Sequence, residues 1–171
     1  MTTVVVGSAP PPLRHWLDER CRLGLDARDE RWEGVLHVAP YAGSAHGRLE
    51  AQLDFLLYPR ARAAGLVAGG RFNLGDAADY RIPDGGYHHD TTGGTYVETA
   101  AVVVEILSPD DESYAKLPFY AARGVAEVIM VDPADRSVRC WHLAEDGYRE
   151  EPASDVLGVS TTTLADELDW P

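Results

Sequence analysis

Apolar residues first recur at helical spacing near the start of the chain. The segment LRHWLDERCRLG, residues 13–24, places leucine, tryptophan and cysteine side chains on one stripe, and Gly24 follows where a C-terminal cap would stand. This spacing predicts a short amphipathic helix. The next segment, RWEGVLHVAP at residues 31–40, is predicted to form one strand that ends at Pro40.

The longest apolar stripe comes next. Ser44 precedes AHGRLEAQLDFLLYPRARAAG, residues 45–65, in which leucines recur at helical spacing. Serine is a favourable N-cap, so Ser44 is predicted to begin the longest helix of the chain. Pro59 lies inside the pattern and is expected to kink or end that helix.

Beyond this helix the pattern changes to strands. Clusters of glycine, aspartate and threonine separate three strand candidates, which a short helix and two further strands follow. The strand candidates span residues 65–75, 79–87, 99–108, 125–132 and 137–143, and the helix spans 115–123. This order predicts an α/β or α+β fold with a mixed central sheet.

The composition fits one globular domain over residues 1–171, with its core over about 30–145. Hydrophobic residues make up 45% of the chain and charged residues 25%, which allows a sizeable core. No apolar segment approaches the length that spans a bilayer, and the N-terminus lacks the features of a signal peptide, so a soluble, cytoplasmic protein is expected. Cys21 and Cys140 form no CxxC pattern and are expected to be free, buried thiols.

The charge balance is strongly acidic, with 28 Asp and Glu against 15 Lys and Arg and a formal net charge of −13. Long-range attraction to DNA is therefore not built in, and a nucleic acid would have to meet a local basic surface or a bound cation. The densest basic group is Arg60, Arg62 and Arg71. It fits either a phosphate-contacting surface or a solvated helix end.

One carboxylate interrupts the most apolar strand candidate. In AAVVVEILS, strand alternation places Val103, Glu105 and Leu107 on one face. A buried carboxylate is costly unless it has a cation, a hydrogen-bond partner or a raised pKa. Asp84, in RIPDGG, occupies a similar place at the end of a short strand beside glycines. Two carboxylates on neighbouring strands repel each other, and a divalent cation such as Mg²⁺ relieves that repulsion.

Each carboxylate also has an ordinary interpretation. PDG is a common turn sequence, and Glu105 alone could reach water or an arginine at its strand end. Lys116 favours the interpretation of the two carboxylates as parts of a site over these ordinary ones. Pro118 is best tolerated in the first turn of a helix, so that helix is predicted to begin just before Lys116, a short loop away from Glu105. A lysine there could orient an attacking water and stabilise charge on a phosphate.

The order of these motifs resembles one known family. IPDGG, VVVEILSP, KLPFY and GVAEVIMVDP follow one another, and WEGVLHVAP and SAHGRLEAQL precede them. Together they resemble the Uma-two family of endonucleases, a branch of the PD-(D/E)XK restriction-endonuclease-like superfamily. The likeness covers roughly residues 13–168 and is strongest over 82–133. It implies a restriction-endonuclease-like core, a mixed central sheet flanked by helices, and hydrolysis of phosphodiester bonds in DNA.

The same resemblance implies a set of site residues. They are Asp84, Glu105, Lys116 and His46, with Mg²⁺ or Mn²⁺ held by Asp84, Glu105 and the backbone carbonyl of Leu107. The superfamily places its lysine two residues after the glutamate, where this chain has Leu107. In the Uma-two branch Lys116 fills that role from the following helix, with Tyr120 one turn further on. His46 matches a histidine that would tune the metal shell, contact a phosphate or cap the helix.

Two other functions stay open on the sequence alone. A noncatalytic interaction module could retain the fold and the metal site, because fold does not fix function, and the net charge of −13 favours it. A hydrolase of a small phosphorylated substrate would find the acidic surface less of an obstacle than a DNA-cutting enzyme would. A homodimer through an exposed edge strand, such as SVRCWHL at 137–143, is a further expectation.

Overall fold

A mixed six-stranded sheet lies at the centre of the fold. The computed structural model describes residues 3–5, 9–39, 42–89, 91–108 and 112–171. The strands are β1 (Thr3–Val5), β2 (Glu30–Trp32), β3 (Val35–Val38), β4 (Val67–Ala68), β5 (Asn73–Asp76), β6 (Asp79–Arg81), β7 (Gly85–His88), β8 (Tyr96–Val97), β9 (Val102–Ile106), β10 (Glu127–Asp132), β11 (Ser137–Ala144), β12 (Gly147–Glu151), β13 (Ala153–Ser154) and β14 (Val159–Ser160). The helices are α1 (Pro11–Arg22), α2 (Ser44–Ala63), α3 (Leu117–Ala122) and α4 (Thr161–Glu167), and a 3₁₀ turn spans Ser113–Lys116.

The central sheet has the strand order β12-β11-β10-β9-β7-β4. β9 and β10 run parallel, and the other neighbours are antiparallel. Every residue of β9 is buried, as expected for a strand covered on both faces. A second sheet has the order β1-β3-β2-β6-β5-β8, and β13 pairs with β14. The mixed sheet flanked by helices that the sequence predicts is therefore confirmed.

Two apolar clusters cover the two faces of the central sheet. On one face the leucine stripe of α2 packs on Val102, Val104 and Ile106, together with residues of α4. On the other face Val103 packs with Phe119 and Tyr120 of α3. Because strand side chains alternate, Glu105 shares the face of Val103 and points toward α3. Glu105, the one carboxylate of β9, therefore lies on the face of the central sheet that packs against α3.

Turn chemistry overturns several boundaries that the sequence predicts. Residues 30–38 form a hairpin of β2 and β3 instead of the one strand predicted over 31–40, because Glu33 and Gly34 both adopt positive φ, at 49° and 85°, as a two-residue reversal requires. Pro40, the predicted end, lies outside the described residues. The candidates at 65–75 and 79–87 each divide between the two sheets.

The helices follow the predictions more closely. Gly24 has a φ of 68° just after α1, as a C-terminal glycine should. Gly43 is the N-cap of α2, so Ser44 is its first helical residue and not the cap. α2 continues past Pro59, which does not end it, because Leu57 and Ala61 on either side are buried in the core.

Two further expectations are wrong. β11 lies between β10 and β12, so residues 137–143 do not form an exposed edge, and a homodimer stays a prediction without that edge. Cys21 is exposed because no residue of α1 is buried against the rest of the fold. Cys140 is buried, as predicted, and both thiols are free.

No helix in the described part of the chain combines the length and apolar character needed to cross a bilayer.

Candidate active site

Asp84 directly precedes β7, and Glu105 lies in the neighbouring strand β9. The antiparallel ladder of β7 and β9 ends at the pair of Gly85 with Val104, so Asp84 lies next to Glu105 where the pairing stops. Asp84 reaches this place because residues 82–84 carry the chain from β6 in the second sheet to β7 in the central sheet.

The Glu105 carboxylate is 2% exposed and accepts hydrogen bonds from one short helical segment. Lys116 Nζ donates to its two oxygens at 3.0 and 3.2 Å, and the Tyr120 hydroxyl donates to Oε1. Ser113 Oγ lies 3.4 Å from Oε2. Lys116 ends the 3₁₀ turn and Tyr120 lies one helical turn further on, so both side chains point the same way. The carboxylate that interrupts β9 is thus compensated by donors within the protein.

Lys116 is the single lysine of the chain, and it joins two buried carboxylates. Its Nζ lies 3.0 Å from Oε1 of Glu105 and 3.0 Å from Oε1 of Glu30. Glu30, the first residue of β2, is held in turn by the Ile82 N–H at 2.8 Å and the Trp32 Nε1–H at 2.6 Å. Burial lowers the pKa of Lys116, but the charges of Glu105 and Glu30 outweigh burial and hold that pKa above its usual value. Lys116 is therefore a charged ammonium inside the fold.

Asp84 is oriented from three directions. Its Oδ2 accepts the Ile106 N–H at 3.0 Å, and its Oδ1 lies 2.9 Å from His46 Nε2 and 3.3 Å from an Arg71 guanidinium nitrogen. A carboxylate only accepts, so His46 carries a proton on Nε2. Burial raises the pKa of Asp84, but His46 and the Ile106 N–H outweigh burial and leave that pKa below its usual value. Asp84 is therefore ionised and fixed in direction.

The helix α2 contributes two carboxylates beside Asp84. Glu50 and Asp54 are spaced one helical turn apart and line one small pocket together with Asp84, Asp54 from its solvent side. Arg71 donates to both oxygens of Glu50 at 2.7 and 2.6 Å while it also contacts Asp84. Arg71 therefore links α2 to the central sheet at the candidate site.

Negative charge exceeds positive charge in this cluster. The carboxylates with little exposure are Glu30, Glu50, Asp84 and Glu105, and the cations among them are Arg71 and Lys116. Burial raises the pKa of Glu105 to about 7; the charge of Lys116 lowers this pKa, while the charges of Asp84 and Glu30 raise it. A hard divalent cation relieves such an excess, and carboxylate oxygens are the donors that Mg²⁺ and Mn²⁺ take. The donor set fits such an ion, provided that Lys116 releases Glu105 and keeps Glu30 as its partner.

The structure brings most of the predicted site residues into two contacting groups. His46 contacts Asp84, and Lys116 and Tyr120 contact Glu105. The contact of His46 with Asp84 fits a role beside the metal ligand, and the N-cap residue of α2 is Gly43. Leu107 directly follows β9 and its N–H donates to the Val131 carbonyl at 2.8 Å. Its own carbonyl stays a predicted metal ligand.

Sequence reasoning missed two members of the cluster. Glu30 directly precedes the predicted strand RWEGVLHVAP, but its charged neighbours Arg31 and Glu33 hide the apolar pattern that singles out Glu105. Arg71 seemed to belong with Arg60 and Arg62, but those two lie in the last turn of α2 while Arg71 contacts Glu50 and Asp84. Only the fold separates a structural arginine pair from an arginine of the site.

Comparisons with known proteins show the family and the fold of the chain. Residues 17–169 match the model of the Uma2 family, described as "Putative restriction endonuclease". The fold is similar to the crystal structure of a putative nuclease belonging to DUF820 from Anabaena variabilis, with a TM-score of 0.65 and 14% identity over 81% of this chain and 90% of that chain. At this identity the likeness shows the fold alone. No curated protein matches the chain. Because the family model covers most of its length, the chain belongs to the Uma2 family.

Proposed function

We propose that this protein is a metal-dependent endonuclease that hydrolyses phosphodiester bonds in DNA. One observation carries the proposal: Asp84, Glu105 and Lys116 converge at the meeting point of β7, β9 and α3 in a chain of the Uma2 family. Mg²⁺ or Mn²⁺ would be held by Asp84, Glu105 and the backbone carbonyl of Leu107. A bound divalent ion would polarise the phosphate and lower the pKa of a coordinated water.

The residues of the chain have separate tasks in this proposal. The His46 Nε2–H and the Ile106 N–H hold the two Asp84 oxygens in fixed directions, which preorganises the metal ligand. Lys116 keeps its charge while it is bonded to Glu30, so its ammonium remains available to position a water and to stabilise charge on the phosphate. Tyr120 donates to Glu105 and limits the directions in which that carboxylate can turn.

The choice of DNA is supported by the family description, which names a restriction endonuclease. The net charge of −13 disfavours long-range attraction to DNA, so binding would depend on local contacts and on the metal. Duplex binding should weaken steeply with salt because counterions are released, whereas capture of one small phosphate should not. Salt dependence therefore separates DNA from a small phosphorylated substrate.

The decisive experiment combines calorimetry with plasmid nicking. Mg²⁺ and Mn²⁺ are titrated into wild type, Asp84→Ala, Glu105→Gln and Asp135→Ala, and each sample is then incubated with supercoiled plasmid. Asp135 is an exposed turn residue outside the cluster and serves as the matched control. We expect metal binding and nicking in wild type and Asp135→Ala, and neither in the two site variants.

Two results would overturn parts of this proposal. If Asp84→Ala bound Mg²⁺ as tightly as wild type, the metal assignment would be wrong. Metal binding that requires Asp84 without nicking of DNA would keep the site but replace the activity with hydrolysis of a small phosphorylated substrate or with a binding role.

A further inference from the structure

A second polar cluster lies on the other face of the central sheet. Glu127 opens β10, and Cys140 and His142 are two residues apart in β11. The register pairs Glu127 with His142 and Ile129 with Cys140, so all three polar side chains share the face that packs on α2 and α4. Glu105 points to the opposite face, and Glu127 pairs with Val102 at the far end of β9. The cluster is thus separate from the Asp84 and Glu105 site.

The three side chains offer one ligand atom each, and these atoms lie within 4.8 Å of one another. They are a thiol sulfur, an imidazole nitrogen and a carboxylate oxygen. Zn²⁺ takes this mixture in tetrahedral sites, whereas Mg²⁺ prefers oxygen ligands alone. Glu127 and Cys140 are buried, and His142 is partly open to solvent, which gives an ion a route to the cluster.

The surrounding atoms orient these ligands as metal sites require. His142 Nε2 donates to the Ala153 carbonyl at 2.8 Å, because a carbonyl only accepts, and it also lies 3.4 Å from Glu127 Oε1, while Nδ1 lies 3.9 Å from Asp155 Oδ2. Metal-binding histidines commonly donate their second ring nitrogen to such an acceptor. Glu127 is fixed by the Ser154 hydroxyl and by the N–H groups of Asp155 and Val156, the latter two at 2.9 and 3.0 Å.

A fourth ligand lies beside the cluster. Asp155 Oδ2 is 3.9 Å from His142 Nδ1, and the Asp155 side chain is 88% exposed. Its backbone N–H donates to Glu127 at 2.9 Å, so the segment that carries Asp155 is anchored beside the cluster. Structural zinc sites are four-coordinate, and this residue completes that number.

We propose that Glu127, Cys140 and His142, with Asp155 as the fourth ligand, bind a Zn²⁺-class ion. The ion would join β10 and β11 to the segment 153–156, which leads through β14 to α4. Its role would be to stabilise the C-terminal segment against the sheet, because metal binding to the folded state alone adds to folding stability. This site does not depend on the proposed nuclease activity.

Co²⁺ is the direct probe, because cobalt bound to a thiolate gives a near-ultraviolet charge-transfer absorption that carboxylates and imidazoles do not give. The chain has two cysteines, so Cys21→Ser is a matched control for Cys140→Ser. We expect the absorption in wild type, Cys21→Ser and Asp84→Ala, and its loss in Cys140→Ser. Zn²⁺ added in equimolar amount should remove the absorption and raise the Tm of the same three proteins.

Asp155→Asn tests the fourth ligand without disturbing the core, because the side chain is exposed. It should weaken Co²⁺ binding by about 10–100-fold or more, because loss of a group that only supports a metal ligand already costs that much. The circular dichroism spectrum should not change. Wild type that shows no cobalt–thiolate absorption, or absorption that follows Cys21 instead of Cys140, would overturn the proposal. The cluster would then be a hydrogen-bonded attachment for the C-terminal segment only.

Discussion

Replacing Lys116 with methionine should destabilise the protein in a pH-dependent way. The change removes the ammonium that lies 3.0 Å from both Glu105 and Glu30 and retains a side chain of similar length. Lys116 and Glu105 are 11% and 2% exposed, so water cannot replace the lost partner. Removing one member of a buried ion pair costs about 3–5 kcal/mol of unfolding free energy.

The pH dependence follows from Glu105. Burial raises its pKa to about 7 in the native state, from an ordinary value of 4.5, although Lys116 lowers it. Without Lys116 the native-state pKa rises further. A carboxyl whose pKa is raised by folding binds more protons in the native state, so the stability of the protein falls as pH rises from the unfolded pKa to the native one.

In wild type, the contribution of Glu105 to the unfolding free energy stops falling near pH 7. In the variant, this contribution continues to fall by about 1.4 kcal/mol per pH unit as long as Glu105 stays protonated in the native state. The difference between the two proteins should therefore be about 2 kcal/mol larger at pH 8.5 than at pH 6.

Urea unfolding at pH 6 and pH 8.5 measures this difference, and Lys116→Met with Glu105→Gln is the matched control. The double variant has no titrating group at position 105, so the pH dependence of its stability loss relative to Glu105→Gln should be smaller than that of the single variant relative to wild type. Because the chain has one lysine, ¹⁵N-lysine labelling reports the protonation of Lys116 Nζ directly by NMR. An equal loss at both pH values in the single variant, or a loss below about 1 kcal/mol at pH 8.5, would refute the reasoning.

Three further predictions concern stability. Tyr120→Phe removes a buried donor to Glu105 and should cost about 1.5–3 kcal/mol in urea unfolding, while it raises the pKa of Glu105 measured by carboxyl NMR. Pro59→Ala restores a backbone donor inside α2 and should add up to about 3 kcal/mol to the unfolding free energy, which raises the Tm. An unchanged Tm would mean that the helix has adapted to the proline. Gly34→Ala should lower the unfolding free energy by about 1–2 kcal/mol, because Gly34 has a φ of 85° that alanine adopts only with strain. Gly47→Ala lies inside α2 and should raise the unfolding free energy by about 0.5–1 kcal/mol, so equal effects of the two changes would contradict the turn geometry.

Local spacing was sufficient for the elements that depend on local physics. The stripe of α2, the buried run of β9, the β10 and β11 pair and the turn between them were all predictable, because apolar periodicity reports which face of an element is buried. The hairpin of β2 and β3 was not predicted, because Glu33 at positive φ is not a common turn residue. Two elements were not predicted: β12, which forms one edge of the central sheet, and α4, which packs on one of its faces.

The sequence by itself determined that a carboxylate in β9 needs a partner; it predicted Asp84 and Lys116 as its companions in a site, and the family resemblance added His46. Burial of charge is costly wherever it occurs, so a glutamate in an apolar strand indicates a compensating group before any fold is known. Only the tertiary structure decided which groups compensate it. Glu30 and Arg71 come from distant strands and loops, and they reach the cluster only because β2 pairs with β6 in the second sheet and Arg71 spans the gap to α2. Charge interactions act through space within a few ångströms, and sequence separation carries no information about that distance.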